Sequence, residues 1–305
     1  MPNDSHVELL GQVDLAFSDW RPLRHVEDPL HKDLSAVARV GDSLLLACVE
    51  TAGVERVRGI GGGRVGEHRH FALDGLVDLP AGAEGEMDIE GLCAVDGFLW
   101  IVGSHALKRS KPKRAESDAD DALRRMEQVD REPNRHFLGR IPLDGEAPGV
   151  FWPAEADGGR QAAWAKFGKR SSALTDWVAG DPHLGPFLTI PAKENGFDVE
   201  GLAVRGDRIW LGLRGPVLRG HAVVLDLEIT EKTPGQLKAH RTEGERRYRK
   251  HLLDTRGLGI RDMQLDSDDL LLLVGPTMSL EGPAFVVHWR VAVLNGASGG
   301  TAPAR

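Results

Sequence analysis

Residues 198–215 read DVEGLAVRGDRIWLGLRG. An apolar run, a Gly-Asp pair and a second apolar run in so short a span spell a β-hairpin, with the pair as its tight turn. The same layout recurs without gaps as DLSAVARVGDSLLLACVE from Asp33, DIEGLCAVDGFLWIVGSH from Asp88 and IRDMQLDSDDLLLLVGPT from Ile260. The third position of each segment is polar: Ser35, Glu90, Glu200 and Asp262. The turn pairs read Gly41-Asp42, Asp96-Gly97, Gly206-Asp207 and Asp268-Asp269. Four such segments in one register make an internal repeat.

The spacing selects the architecture. Ser35 to Glu90 is 55 residues, Glu90 to Glu200 is 110 and Glu200 to Asp262 is 62. Multi-stranded units at roughly 40–50 residues or more spell a β-propeller. Third strands follow the hairpins at 68–73, 135–141, 222–229 and 285–291. The fold class is therefore all-β. It is read as a propeller of five blades, with four or six as alternatives, because the 110-residue interval hides a degenerate blade or a blade with large insertions. Residues 1–295 form this single domain. VELLGQVDLAF (7–17) is expected to close the ring beside FVVHWRV, and the tail 296–305 is expected to be disordered.

Two insertions stand out. Residues 106–134 are charged and nearly free of apolar side chains, a solvated loop with a helix in DADDALRRMEQV. Residues 160–180 read as a helix or two, with Trp164, Phe167, Leu174 and Trp177 spaced for core packing. The run RGIGGGRVG (58–66) lacks the strand–GxGxxG–helix context of a dinucleotide site and reads as a loop or hairpin.

Composition bounds the function. The 305 residues carry 38 Lys plus Arg against 46 Asp plus Glu, a formal charge of −8. That balance does not suit a nucleic-acid-coating protein. Two cysteines, Cys48 and Cys93, are too few for a disulfide scaffold or a cysteine zinc site. The opening residues lack a secretory pattern, and no apolar run approaches the roughly 18 residues of a membrane span. The expectation is a cytoplasmic protein with neither nucleic-acid nor membrane partner.

First strands line the centre of a propeller, and alternate residues of a strand share a face. Asp88 with Glu90, and Asp198 with Glu200, are thus expected near one axis, joined by Asp33, Ser35 and Asp262. Converging carboxylates raise one another's pKa or recruit a cation, and oxygen ligands of this kind suit Ca²⁺. Asp88, Asp198 and Asp262 are the candidate metal ligands. Glu90, Glu200 and His105 are the candidate catalytic groups. Ser104, Arg135, Arg214 and Arg261 are candidates to hold a small anionic substrate, since Arg matches phosphate and carboxylate geometry. The bland alternative is that the acids form structural ion pairs with arginines of neighbouring blades.

The segments DIEGL, LWIVGSHALKRSK, NRHFLGRIPL, DVEGLAVRGDRIWLGLRGPVLRGHAVVL, GLGIRDMQL and LLLLVGPT resemble, in this order, the bacterial domain of unknown function 3616. The likeness runs from about Asp33 to Arg290 and implies no reaction. The D-x-E-G-L pattern at Asp88–Leu92 and Asp198–Leu202 is also similar to the blade motif of phytase-like propellers, which implies an esterase-like activity. Glu281-Gly282-Pro283 matches the E-G-P letters of calcium-dependent lactonase propellers. It lies after the fourth hairpin rather than at a blade start, so that role is not carried over. Two functions follow as expectations. One is a metal-assisted hydrolase of a small anionic ester, phosphoester or lactone. The other is a non-catalytic scaffold binding a protein partner or small ligand.

Overall fold

The computed structural model describes residues 12–18, 30–61, 63–112, 118–147, 149–242, 246–278 and 281–291. The protein is all-β, and the four hairpins grow into four antiparallel units. Unit one comprises Leu34–Val40, Ser43–Cys48, Gly53–Gly61 and Arg64–Ala72. Unit two comprises Ile89–Val95, Phe98–Gly103, Leu138–Ala147 and Val150–Pro153. Unit three comprises Asp198–Arg205, Arg208–Gly215, His221–Thr233 and Arg249–Asp254. Unit four comprises Gly259–Asp266, Asp269–Gly275 and Phe285–Trp289. In unit one the stretch 68–73, expected as a third strand, falls mostly in the fourth strand; the third is Gly53–Gly61.

The units stack face to face, with a hydrophobic core in each of three interfaces. Leu45, Val54, Ile89, Leu99 and Ile101 fill the space between units one and two. Trp100, Val102, Val199, Leu202, Ile209 and Leu211 lie between units two and three. Trp210, Ile260, Met263, Leu270 and Leu272 lie between units three and four. The middle units are buried on both faces, which explains why FLWIV and RIWLGL are nearly continuous apolar runs rather than alternating ones. Gln236–Ala239 and Ala163–Ala165 pair in parallel and join units three and two at their outer edges. Eight strands thereby form a nearly closed, barrel-like path whose end strands, Ile89–Val95 and Asp198–Arg205, lie side by side.

Glycine in the D-x-E-G-L motif has a packing reason. A Cβ on Gly91 would sit 2.6 Å from the Leu202 Cβ, and one on Gly201 would sit 2.9 Å from the Met263 Cγ. Each motif glycine thus makes room for the apolar residue two positions past the bulged residue of the next unit. From unit four back to unit one the relation has no counterpart among the described residues, since Asp262 and Val37 are both exposed.

The structure corrects four expectations. The 110-residue interval holds no further four-stranded unit among the described residues; short strands, helices of nine and six residues and 3₁₀ turns fill it. Asp14–Leu15 pairs in parallel with Arg64–Val65 of unit one, not with FVVHWRV; the rest of that closing segment up to residue 11, like the tail 296–305, lies outside the described residues. Within 160–180 the only helix is Ala173–Val178, begun by a Ser172–Thr175 capping box, and Trp164 lies on a strand. The four aromatic and aliphatic residues there still pack on cores, as the spacing implied. The charged insertion does carry a helix, Ala119–Glu127, capped by Asp118 and with no buried residue.

The fourth correction is one of register. The last hairpin turns at Ser267-Asp268, with Ser267 at φ 56°, one residue earlier than Asp268-Asp269. Gly259 therefore matches Asp198, and Arg261 rather than Asp262 matches Glu200. The pairing confirms it. Each first strand carries a bulge, and the residue left without a partner is Ser35, Glu90, Glu200 and Arg261 in turn. Bulges re-aim a side chain at the cost of local pairing, and here four of them aim the repeat's third position. Among the described residues no helix is long and apolar enough to cross a membrane.

Candidate functional site

Carboxylates and arginines meet where the first strands of units two, three and four lie together. Arg214 reaches Asp198 at 2.5 Å and Glu200 at 2.6 Å. Arg261 reaches the other Glu200 oxygen at 2.8 Å. Arg135 pairs with Asp88 at 2.9 Å and with Glu86, which also holds Lys108 at 2.5 Å. Asp198, Glu200, Asp88 and Arg135 are buried, and Arg261 is half-buried. Glu90 has no ion pair or hydrogen bond among the described residues.

The bulges explain this convergence better than simple alternation does. Glu200 leaves the ladder on one strand while Arg214 leaves it on the partner strand, so both swing to the same side. Asp88 precedes its strand and adopts φ 47°, a left-handed conformation that an aspartate holds only at a cost. Arg135 comes from the 3₁₀ turn Pro133–His136, whose carbonyl at Arg135 accepts from the His105 N–H.

Crowding sets the protonation. Burial, then the neighbouring Asp88, Glu200 and Asp198 charges, raise Glu90 well above the ordinary carboxyl range. Burial and then Asp198 raise Glu200 to about 8, against the pull of Arg214 and Arg261. Asp198 rises to about 6, chiefly through burial. Burial and the like charges of their neighbours thus act together to favour the protonated forms of these carboxyls.

The other expected residues take different places. His105 is buried at φ 56°, and its Nδ1 donates to the Gly103 carbonyl at 2.9 Å. It packs edge-on against His136 rather than facing the carboxylates, and burial lowers it to about 4. Ser104 is buried too. Its hydroxyl accepts from Ala106 N–H at 3.4 Å, and its carbonyl accepts from Val199 N–H at 2.9 Å, tying unit two to unit three. Ser35 does the same between units one and two, donating to the Ile89 carbonyl at 2.5 Å. Asp33 accepts from Glu50 N–H at 3.2 Å. Asp262, expected among the metal ligands, is corrected. It is exposed, accepts among the described residues only from the Met263 N–H at 2.7 Å, and is displaced from the cluster by the one-residue register difference.

Among the described residues no group of three or more His, Cys, Asp and Glu side chains is arranged to hold a metal ion. Guanidinium groups sit against Asp88 and Asp198, two of the three residues expected as Ca²⁺ ligands, and against Glu200, expected as a catalytic group. One contributor escaped the reading of the sequence: Glu86 lies before the repeat and carries no motif. Lys193 is close enough for the charges of Arg214 and Asp88 to act on it, while burial lowers its pKa.

No curated protein matches the chain. The sequence pattern of the family described as "Protein of unknown function (DUF3616)" matches residues 33–299. The chain therefore belongs to the DUF3616 family.

Proposed function

We propose that the four units are blades of a β-propeller and that the carboxylate–arginine cluster at their meeting point is a hydrolytic site for a small anionic ester, phosphoester or lactone. The stacked units, the repeated bulge and the glycine relation between neighbours support the propeller. The observation that carries the hydrolytic reading is Glu90: a carboxyl among three others, raised in pKa by burial and by their charges, with no ion pair or hydrogen bond among the described residues and only the more distant charge of Arg214 set against them. Carboxyl groups whose proton affinities are tuned by their surroundings are what acid–base hydrolysis uses.

In this reading Glu90 gives a proton to the leaving oxygen. Glu200, positioned by Arg214 and Arg261, takes the proton of the attacking water when ionised, so the reaction is expected to speed up as pH rises towards about 8. Arg261 is half-exposed and bridges Glu200 to solvent, so its guanidinium meets the substrate's anionic group. No step calls for a metal ion.

A second reading has its own support. Asp88, Asp198 and Glu200 each hold an arginine, and the Glu200–Arg261 pair crosses from unit three to unit four. A scaffold held together by such pairs binds a partner or ligand without chemistry. Assay of the protein against model esters, phosphoesters and lactones separates the two. Glu90→Gln keeps the shape and removes the proton, and general acid–base catalysis of this kind contributes about 10²–10⁴-fold. A fall of that size in kcat supports the hydrolase. No turnover of any of the three substrate classes by the wild-type protein leaves the scaffold.

A further inference from the structure

A second set of arginines lies at the outer edge of unit one, away from the central cluster. Arg56 and Arg69 are directly opposed on the paired strands Gly53–Gly61 and Arg64–Ala72. Like charges facing each other across a strand pair are destabilising unless something of opposite sign sits between them. Both line a cleft of about 280 Å³, together with Arg58, Glu67, Glu146 and Val150. The last two belong to unit two, so the cleft opens between two sheets.

The ion-pair accounting leaves the cleft cationic. Arg58 is bound to the Glu67 carboxylate. Arg56 is only 4% exposed, yet its Nε has no hydrogen-bond partner and its Nη2 makes only a 3.5 Å contact with the Glu67 carbonyl. Arg69 has a cation–π contact with Phe71 and no carboxylate partner among the described residues. A buried guanidinium N–H without an acceptor costs the desolvation of a charged donor. Three guanidinium groups against the carboxylates of Glu67 and Glu146 leave a positive surplus, lined with planar donors suited to oxyanions.

The hairpin itself favours an approaching ligand. Gly61 and Arg64 are the last paired residues towards its tip, and Gly59 has no atom within 4 Å of where a Cβ would stand. A bulge falls between Arg56 and Arg58, and Glu67 is held at φ 49°. We propose that this cleft binds a phosphate-type oxyanion, free or as the phosphoryl group of a small phosphomonoester, with Arg56 and Arg69 as its main donors.

Calorimetry with inorganic phosphate and with glycerol 2-phosphate, at ionic strength fixed by chloride, tests this. Saturable binding of either supports the site, and the tighter of the two identifies the source. Arg69→Gln, at an exposed position that leaves the core untouched, is expected to weaken binding about tenfold or more, and Arg56→Gln likewise. Glu146→Gln, which removes a repelling charge, is expected to tighten it. Arg205→Gln, at an exposed arginine of unit three outside both the cleft and the central cluster, is expected to leave it unchanged. Absence of saturable binding overturns the proposal. So does equal binding of acetate, equal binding by the Arg69→Gln protein, or loss of binding in the Arg205→Gln protein.

Discussion

Glu200 and Arg261 occupy the same bulged position of consecutive first strands, and their side chains meet across the boundary between the units, Oε2 to Nε at 2.8 Å. One repeat position thus supplies a carboxylate in one unit and its counter-charge in the next. Arg214, unpaired on the neighbouring strand, closes the other side of the same carboxylate at 2.6 Å. Glu90, the equivalent residue of unit two, receives no such partner, and this asymmetry singles it out.

The cluster makes stability depend on pH in an unusual direction. Glu200 rises from an ordinary 4.5 to about 8 on folding, so the folded protein binds a proton that the unfolded chain releases. Stability from this group is present below about pH 4.5 and is lost as pH climbs towards 8. Burial lowers His105 from 6.5 to about 4, which acts oppositely up to about pH 6.5. The clean window is therefore between pH 6.5 and 8. Urea midpoints are expected to fall across that window in the wild-type protein and to fall less steeply in Glu200→Gln, where Glu90, also raised, carries what remains.

The two motif glycines are expected to differ in tolerance. A Cβ on Gly91 meets the Leu202 Cβ at 2.6 Å and the Val102 Cγ1 at 2.7 Å, neither of which can swing away. Gly91→Ala is expected to cost about 1–3 kcal/mol, the range for overpacking a core. Gly201→Ala meets the flexible Met263 side chain at 2.9 Å and is expected to cost less. Thermal unfolding of both variants, side by side, checks the order.

Asp181 anchors the insertion between units two and three. Its carboxylate, 1% exposed, binds Lys250 Nζ at 2.6 Å and accepts from Tyr248 Oη–H at 2.9 Å. Asp181→Ala leaves the partly buried Lys250 ammonium with only the His183 Nδ1 at 3.0 Å among the described residues and is expected to cost about 1–3 kcal/mol. Tyr248→Phe loses one bond to a charged group, about 1.5–3 kcal/mol. Urea unfolding of the two variants beside the wild-type protein, followed by the signal of the seven tryptophans, checks both costs.

Cys48 is expected to be silent to thiol reagents. It is fully buried, and burial, followed by the nearby Glu55 charge, pushes its thiol up to about 12. Only the thiolate reacts. A disulfide reagent at pH 8 is expected to modify Cys48 only after denaturant unfolds unit one, which makes its labelling rate a gauge of local opening.

The sequence alone determined the all-β class, the four hairpins, the family and the list of acids and arginines from which the cluster is built. Those features are local: a Gly/Asp turn and its flanking apolar strands lie within 18 residues, and a repeat is visible in a single chain. Tertiary structure decided the rest. Whether Arg261 or Asp262 faces Glu200 depended on a one-residue turn position, and at period two such a slip exchanges one face for the other. Letters that read equally well as Asp268-Asp269 carried no signal for it. The pairing of Asp88 with Arg135, Glu86 with Lys108, and Arg56 opposite Arg69 depends on units stacking and strands bulging. No spacing along the chain encodes those contacts. Nor did it encode the burial that turns Glu90 and Glu200 from ordinary acids into proton-holding ones, because burial is a property of the neighbours that folding brings in.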